Sequence, residues 1–205
     1  MSDSWFNLLS DPRPWSPPIP LPGPLETART VVRLYRRGDG PAVHATVAST
    51  RATLMPWMAW ARTDHMEESD GVYFVERVRR SAELLDCRDF PLGIFDRASG
   101  ELIGGTGIHR IRSDLHEGEI GYWMHHSRRG QGLCTEAVGA LCSAALCRSE
   151  AGGWGLRRLV VFNAAANVAS RRVCEKLGLR LEMRMREDRY QGPVAPGDIG
   201  ASPDG

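Results

Sequence analysis

The residues able to do chemistry fall mainly in two short stretches. Ser127-Arg128-Arg129-Gly130-Gln131-Gly132-Leu133 sets two glycines and two arginines directly ahead of an apolar helical run. A helix start offers unsatisfied N–H groups and the positive end of the helix dipole, and glycines let the backbone approach an anion closely. Gly130 and Gly132 supply that approach, Arg128 and Arg129 add positive charge, and the pattern predicts a phosphate or pyrophosphate loop, with a plain turn as the alternative. The stretch is not Gly-x-x-x-x-Gly-Lys-Ser/Thr, and it follows antiparallel strand signals, not the first strand of a parallel dinucleotide fold. The second stretch opens on Asn167, well placed as an N-cap, with Ser170 on the first turn and Gly178 as the C-terminal cap. Glu119, His109 and His125, on or beside the predicted strands, could exchange protons. No His/Cys/Asp cluster has metal-ligand spacing and no Gly-x-Ser-x-Gly motif occurs, so neither a metal nor a covalent nucleophile is expected.

Two blocks carry a family resemblance. Gly121-Tyr122-Trp123-Met124-His125-His126-Ser127-Arg128-Arg129-Gly130-Gln131-Gly132-Leu133-Cys134-Thr135-Glu136-Ala137 resembles the acyl-CoA loop of the GNAT N-acetyltransferase superfamily, in its RimJ/RimL-type branch. Asn167-Val168-Ala169-Ser170-Arg171-Arg172-Val173-Cys174-Glu175-Lys176-Leu177-Gly178-Leu179 is similar to that branch's Asn-x-x-Ser helix and Lys-Leu-Gly-Phe-like end. Together they extend the resemblance over roughly residues 25 to 188. It departs at Ser127, where much of the superfamily has Gln or Arg, at Leu179 in place of a common Phe, and after Tyr190, where Gln191-Gly192-Pro193 replaces a final antiparallel strand.

The resemblance implies an α+β (α/β) GNAT fold: a mixed, mostly antiparallel central sheet with splayed fourth and fifth strands, flanked by helices. It implies acetyl-CoA as cofactor, with Arg128, Arg129, Gly130, Gln131, Gly132, Leu133 and Cys134 at the pyrophosphate. The pantetheine arm would lie along Glu119 to Met124, a bulge near Met124 would turn an N–H toward the thioester carbonyl, and Asn167 would bond the arm. Ser170 would hydrogen-bond or protonate the departing thiolate, and Glu119 is the first choice of base, with His109 and His125 as alternatives. Trp57 and Trp60 either line the acceptor groove or pack the core. The activity implied is direct acetyl transfer to a primary amine: a protein N-terminus, or a small molecule such as an aminoglycoside or polyamine. A non-catalytic acyl-CoA-binding module is the competing class.

These residues need a scaffold, and the hydrophobic pattern supplies one. Val31, Val32 and Leu34 predict a short strand; a helix follows through Ala42-Val43 and Val47, a second helical region contains Trp57 to Ala61, and a third spans about Val72 to Leu85. Phe90 to Phe95, Leu102 to Ile111 and Glu119 to Met124 read as three antiparallel strands. Leu133 to about Cys147 is a largely buried helix, Leu159 to Phe162 a short strand, Asn167 to Gly178 a helix, and Leu179 to Met185 a closing strand.

Residues 1–24, with seven of the thirteen prolines, form an extended arm; residues 25–190 are the predicted domain, and 191–205 a Gly/Pro-rich disordered tail. Trp5, Phe6 and Trp15 could dock the arm on the body or on a second copy, giving a homodimer. A net charge of +1 provides no global field toward nucleic acid or an anionic membrane, and no apolar stretch approaches the roughly 18 residues of a membrane span. Five cysteines without framework spacing fit a cytoplasmic protein.

Overall fold

The computed structural model describes residues 14–19 and 21–186. Within them, six strands form one sheet in sequential order: β1 (Leu25–Glu26), β2 (Thr30–Leu34), β3 (Phe90–Asp96), β4 (Leu102–Arg112), β5 (Glu117–Met124) and β6 (Arg158–Val160). β1 through β5 are antiparallel neighbours joined by turns and helical insertions, whereas β6 is parallel to β5. A parallel return needs a crossover, and α3 (Leu133–Leu146) supplies it. The remaining helices are α1 (Gly40–Leu54), α2 (Glu68–Ser81) and α4 (Val168–Lys176).

Alternation along each strand separates two cores. Ile94, Ile108 and Ile120 are buried with Val138 and Leu141 of α3 on one face, while Phe95 and Leu102 pack with Val43 and Val47 of α1 and Val75 of α2 on the other. β5 shows the consequence: Ile120, Tyr122 and Met124 join the α3 side and Trp123 the α1/α2 side. The glycines of β4 accommodate large neighbours. A Cβ on Gly104 would stand 2.8 Å from Met124 Sδ and one on Gly105 2.5 Å from Trp123 Nε1.

Four expectations are corrected. The helical region after Pro56 is a single 3-10 turn, Ala59–Arg62, and α2 starts earlier than the apolar period suggests, where Asp70 accepts from the Glu67 amide at 3.0 Å. The predicted strand Leu159 to Phe162 is instead β6, ending at Val160. Leu179 to Met185 has the period of a strand but forms none: Leu181, Met183 and Met185 face solvent, Leu181 at 71% exposure, since a strand exists only where a neighbouring backbone pairs with it.

The arm docks through Trp15. Its ring is buried edge-on to Phe90, its Nε1 donates to Trp154 O at 2.6 Å, and its amide donates to Ser113 O at 2.8 Å. Trp5, Phe6 and the tail 191–205 lie outside the described residues. No helix among the described residues is long and apolar enough to cross a membrane.

Candidate active site

The glycine loop folds as its residue types require. Gly130 and Gly132 have φ of 75° and 80°, a left-handed conformation that other residues adopt at a cost. Gly132 is the N-cap of α3, and its carbonyl accepts from Glu136 N at 3.0 Å. The amides of Gly132, Leu133, Cys134 and Thr135 have no acceptor among the described residues, as expected for a first helical turn. Free first-turn amides of this kind suit an anion.

The two loop arginines are already employed. Arg128 pairs with Glu101 at 3.0 Å and Asp96 at 3.6 Å, and Arg129 donates to Met124 O at 3.1 Å and to Thr53 Oγ1 at 2.8 Å. Gln131 donates to Ser127 O at 3.0 Å. His125 bonds Ser127 Oγ at 2.8 Å through Nδ1 and Ser49 Oγ at 3.0 Å through Nε2. Burial first, and then His126, Arg128 and Arg129, hold its imidazole below the usual range. His125 therefore fastens the loop to α1 and has no nitrogen left for an acceptor. Leu133 is core, and burial pushes the Cys134 thiol up to about 12, which makes it inert at neutral pH.

Next to the loop the sheet opens. β5 pairs with β6 only from Glu117 to Glu119, so among the described residues Ile120 to Met124 pair with no strand on that side. His125 N donates to Ile103 O at 2.9 Å, which makes Met124–Gly104 a non-hydrogen-bonded pair. By alternation, Ile120, Tyr122 and Met124 turn their N–H and C=O to the open edge. The register is regular through Met124, and the β4–β5 irregularity lies at the opposite end, between His109 and Arg112. The expected bulge is therefore absent from β5. Met124 reaches the edge by alternation alone.

At the fork, α4 meets the edge. Asn167 caps the helix by accepting from Ser170 N at 3.1 Å. Ser170 Oγ lies 2.5 Å from Asn163 Oδ1 and 3.0 Å from the Tyr122 hydroxyl, which also faces Ser170 O at 2.9 Å and Cys174 Sγ at 3.2 Å. Burial, and then the Cys174 contact, raise the pKa of the Tyr122 phenol, so it stays neutral.

The opposite face of the fork carries the proton-exchange candidates. Glu119 is 13% exposed, and Arg110 engages both its oxygens, Nε to Oε2 at 2.7 Å and Nη2 to Oε1. His109, paired with Glu119 across the sheet, holds Asp89 Oδ1 at 2.5 Å through Nδ1. Its ring occupies space left by two glycines: a Cβ on Gly107 would lie 2.7 Å from Nε2, and one on Gly121 3.3 Å. Further along, Trp60 packs edge-on against Trp123, ring centroids 6.0 Å apart, and joins the α1/α2 core. Trp57 is half-buried on the turn after α1. No group of three metal-ligating side chains occurs among the described residues.

Tyr122, Asn163, Asp89 and Arg110 were not singled out from sequence. Tyr122 could have been, since it shares a β period with Ile120 and Met124. Asn163, Asp89 and Arg110 carry no sequence signal. Nor does the tether of α3 to the β1–β2 turn, where Glu136 accepts from Thr27 Oγ1 at 2.6 Å, Arg29 N at 2.8 Å and Arg29 Nε at 2.7 Å.

The chain resembles known proteins in sequence and in fold. The chain is 24% identical over 159 residues to a putative ribosomal N-acetyltransferase, YdaF, of Bacillus subtilis (strain 168), covering 78% of this chain and 82% of that one. It is 32% identical over 90 residues to the ribosomal-protein-serine acetyltransferase of Escherichia coli (strain K12), covering 44% and 48%. Its fold matches a ribosomal L7/L12 alpha-N-protein acetyltransferase, RimL, solved with coenzyme A, at a TM-score of 0.71 and 22% identity over 80% of this chain and 87% of that one. The acetyltransferase (GNAT) domain model matches residues 29–180, the span that holds the loop, the fork and α4, and the chain belongs to that acetyltransferase family.

Proposed function

We propose that the chain is an acetyl-CoA-dependent N-acetyltransferase acting on a protein N-terminal α-amine. The observation that carries this reading is the union of free α3 amides, an unpaired β5 edge and Ser170 at the fork. The site fits the cofactor: a pyrophosphate needs converging N–H donors, and the amide groups of a pantetheine arm need an unpaired strand edge. Gly130 to Cys134 would hold the pyrophosphate, and Ile120, Tyr122, Met124 and Asn167 the arm. When bound, acetyl-CoA supplies an acetyl group activated as a thioester.

The protein's own residues do the rest. The Met124 amide, on the open edge, is the candidate donor to a carbonyl oxygen that gains charge. Ser170 donates to the departing sulfur, with its hydroxyl oriented by Tyr122 and Asn163. The acceptor enters over the face bounded by His109 and Trp123, with Trp57 and Trp60 at its margin. One catalytic domain, residues 25–190, does this, with the arm (1–24) fastened to it at Trp15. The five free cysteines fit a reducing, cytoplasmic setting. The protein-N-terminus reading is supported by the relatives, which are named for ribosomal-protein acetylation.

The test is thiol release from acetyl-CoA with peptides bearing free or blocked N-termini, followed by mass spectrometry of the product. Expected are acetylation of the free α-amine and a kcat about 10- to 100-fold lower in Ser170→Ala at nearly unchanged cofactor affinity. Turnover of aminoglycosides or polyamines but not peptides would move the acceptor class. Cofactor binding without turnover of any amine would refute catalysis in favour of a binding module.

A further inference from the structure

Resting on that reading, we propose that the Asp89–His109 pair is the site's base: His109 Nε2 receives the proton of the acceptor ammonium, and Asp89 positions the ring. Four observations converge. Asp89 Oδ1 meets Nδ1 at 2.5 Å, leaving Nε2 as the nitrogen that can accept. The ring is 28% exposed, so an acceptor can reach it, whereas a base sealed in the core could serve no peptide. It rests over Gly107 and Gly121, and a side chain on either would meet it. Gly121 lies two residues beyond Glu119, where the β5–β6 pairing stops, so Nε2 faces the fork at which the open edge begins.

The neighbouring carboxylate is less suited. Glu119 has each oxygen engaged by Arg110, whose backbone adopts a left-handed φ of 45° beside the strand irregularity. To take a proton it would first have to break a two-pronged ion pair. The charged groups around His109 are Asp89 and Arg88 ahead of β3, Arg110 on β4 and Glu119 on β5, and of these Arg88, Asp89 and Arg110 line one cleft with the imidazole. Arg110 neutralises Glu119, which leaves Asp89 as the carboxylate that holds the imidazole.

The proton accounting closes. His109 Nε2 takes one proton from R–NH3+, and the freed nitrogen lone pair forms the C–N bond to the acetyl carbon. The C–S bond breaks and its electron pair leaves on sulfur. The second N–H proton, acidic once the C–N bond exists, replaces the one that Ser170 gives to sulfur. His109 then releases its proton to solvent.

The test is kcat and KM against pH, between about pH 5 and pH 9, for wild type, His109→Gln, Asp89→Asn and Glu119→Gln. Expected are a roughly 100-fold lower kcat/KM and a lost acid limb in His109→Gln, and a roughly 10-fold lower kcat with KM within about twofold in Asp89→Asn. In His109→Ala, added imidazole is expected to restore turnover, a rescue that a purely structural histidine would not give. An acid limb retained in His109→Gln, or lost only in Glu119→Gln, overturns the dyad while leaving acetyl transfer intact. A wild-type protein that acetylates no amine overturns the acetyltransferase reading itself.

Discussion

Removing one oxygen from Tyr122 tests how the fork orients its hydroxyl. In Tyr122→Phe the ring keeps its place between β5 and α4, but Ser170 Oγ loses a partner at 3.0 Å and retains only Asn163 Oδ1 at 2.5 Å. Ser170 O and Cys174 Sγ lose the phenol at 2.9 and 3.2 Å. A neutral hydrogen bond contributes about 0.5–1.5 kcal/mol net, and stranding a buried partner costs about 1–3 kcal/mol. A loss of about 1–2 kcal/mol is therefore expected, which at about 2–4 °C per kcal/mol lowers Tm by roughly 2–8 °C. Since the phenol is neutral, the substitution removes orientation, not charge. It should lower kcat about 10-fold while cofactor Kd stays within about twofold. Thermal melts, calorimetric titration of coenzyme A and thiol-release kinetics measure the three quantities. A double cycle with Ser170→Ala sharpens the test, because the second substitution should add little to the loss in kcat. Wild-type kcat in Tyr122→Phe, or full additivity in the cycle, would refute the reasoning that Ser170 depends on the phenol.

Other consequences follow from the same geometry. Gly132→Ala places a Cβ 3.4 Å from Arg29 Nη2 on a residue at φ 80°; left-handed strain of about 1–2 kcal/mol should weaken coenzyme A binding by about 10-fold as the loop shifts, read by calorimetric titration. For Glu136, hydrogen bonds from Thr27 first and then Arg29 hold the carboxyl below its usual range. Its contribution is therefore present above the unfolded-state value near about 4.3 and lost as pH falls through the lower folded value. Glu136→Gln should cost about 1 kcal/mol at neutral pH, and the gap between its melting curve and that of wild type should close under acid; a constant gap would argue against the assigned charge. Trp15→Ala empties a buried site and should cost about 3–5 kcal/mol, whereas an unchanged melting temperature would mean that the arm is not fastened there.

The sequence determined those parts of the protein whose causes are local. Glycines before an apolar helix specify a left-handed loop with free amides, Asn167 caps α4, and period-2 runs mark the meander strands. Each is dictated by φ preference, capping or side-chain alternation within a few residues. Pairing beyond the three-strand meander was not legible. Leu179 to Met185 has a strand's alternation but no backbone pairing among the described residues, and Leu159 to Phe162 contributes a strand only to Val160, because sheet structure belongs to two backbones at once. The proton-handling groups were decided by tertiary structure for the same reason. Glu119 is the obvious carboxylate on the strand, yet Arg110, nine residues away, engages it, and Asp89, twenty residues away, holds His109. Arg128 and Arg129 likewise read as free positive charge and fold into contacts with Asp96, Glu101, Thr53 and Met124. A charge's role depends on what lies within a few ångströms of it, and only the folded chain sets those distances.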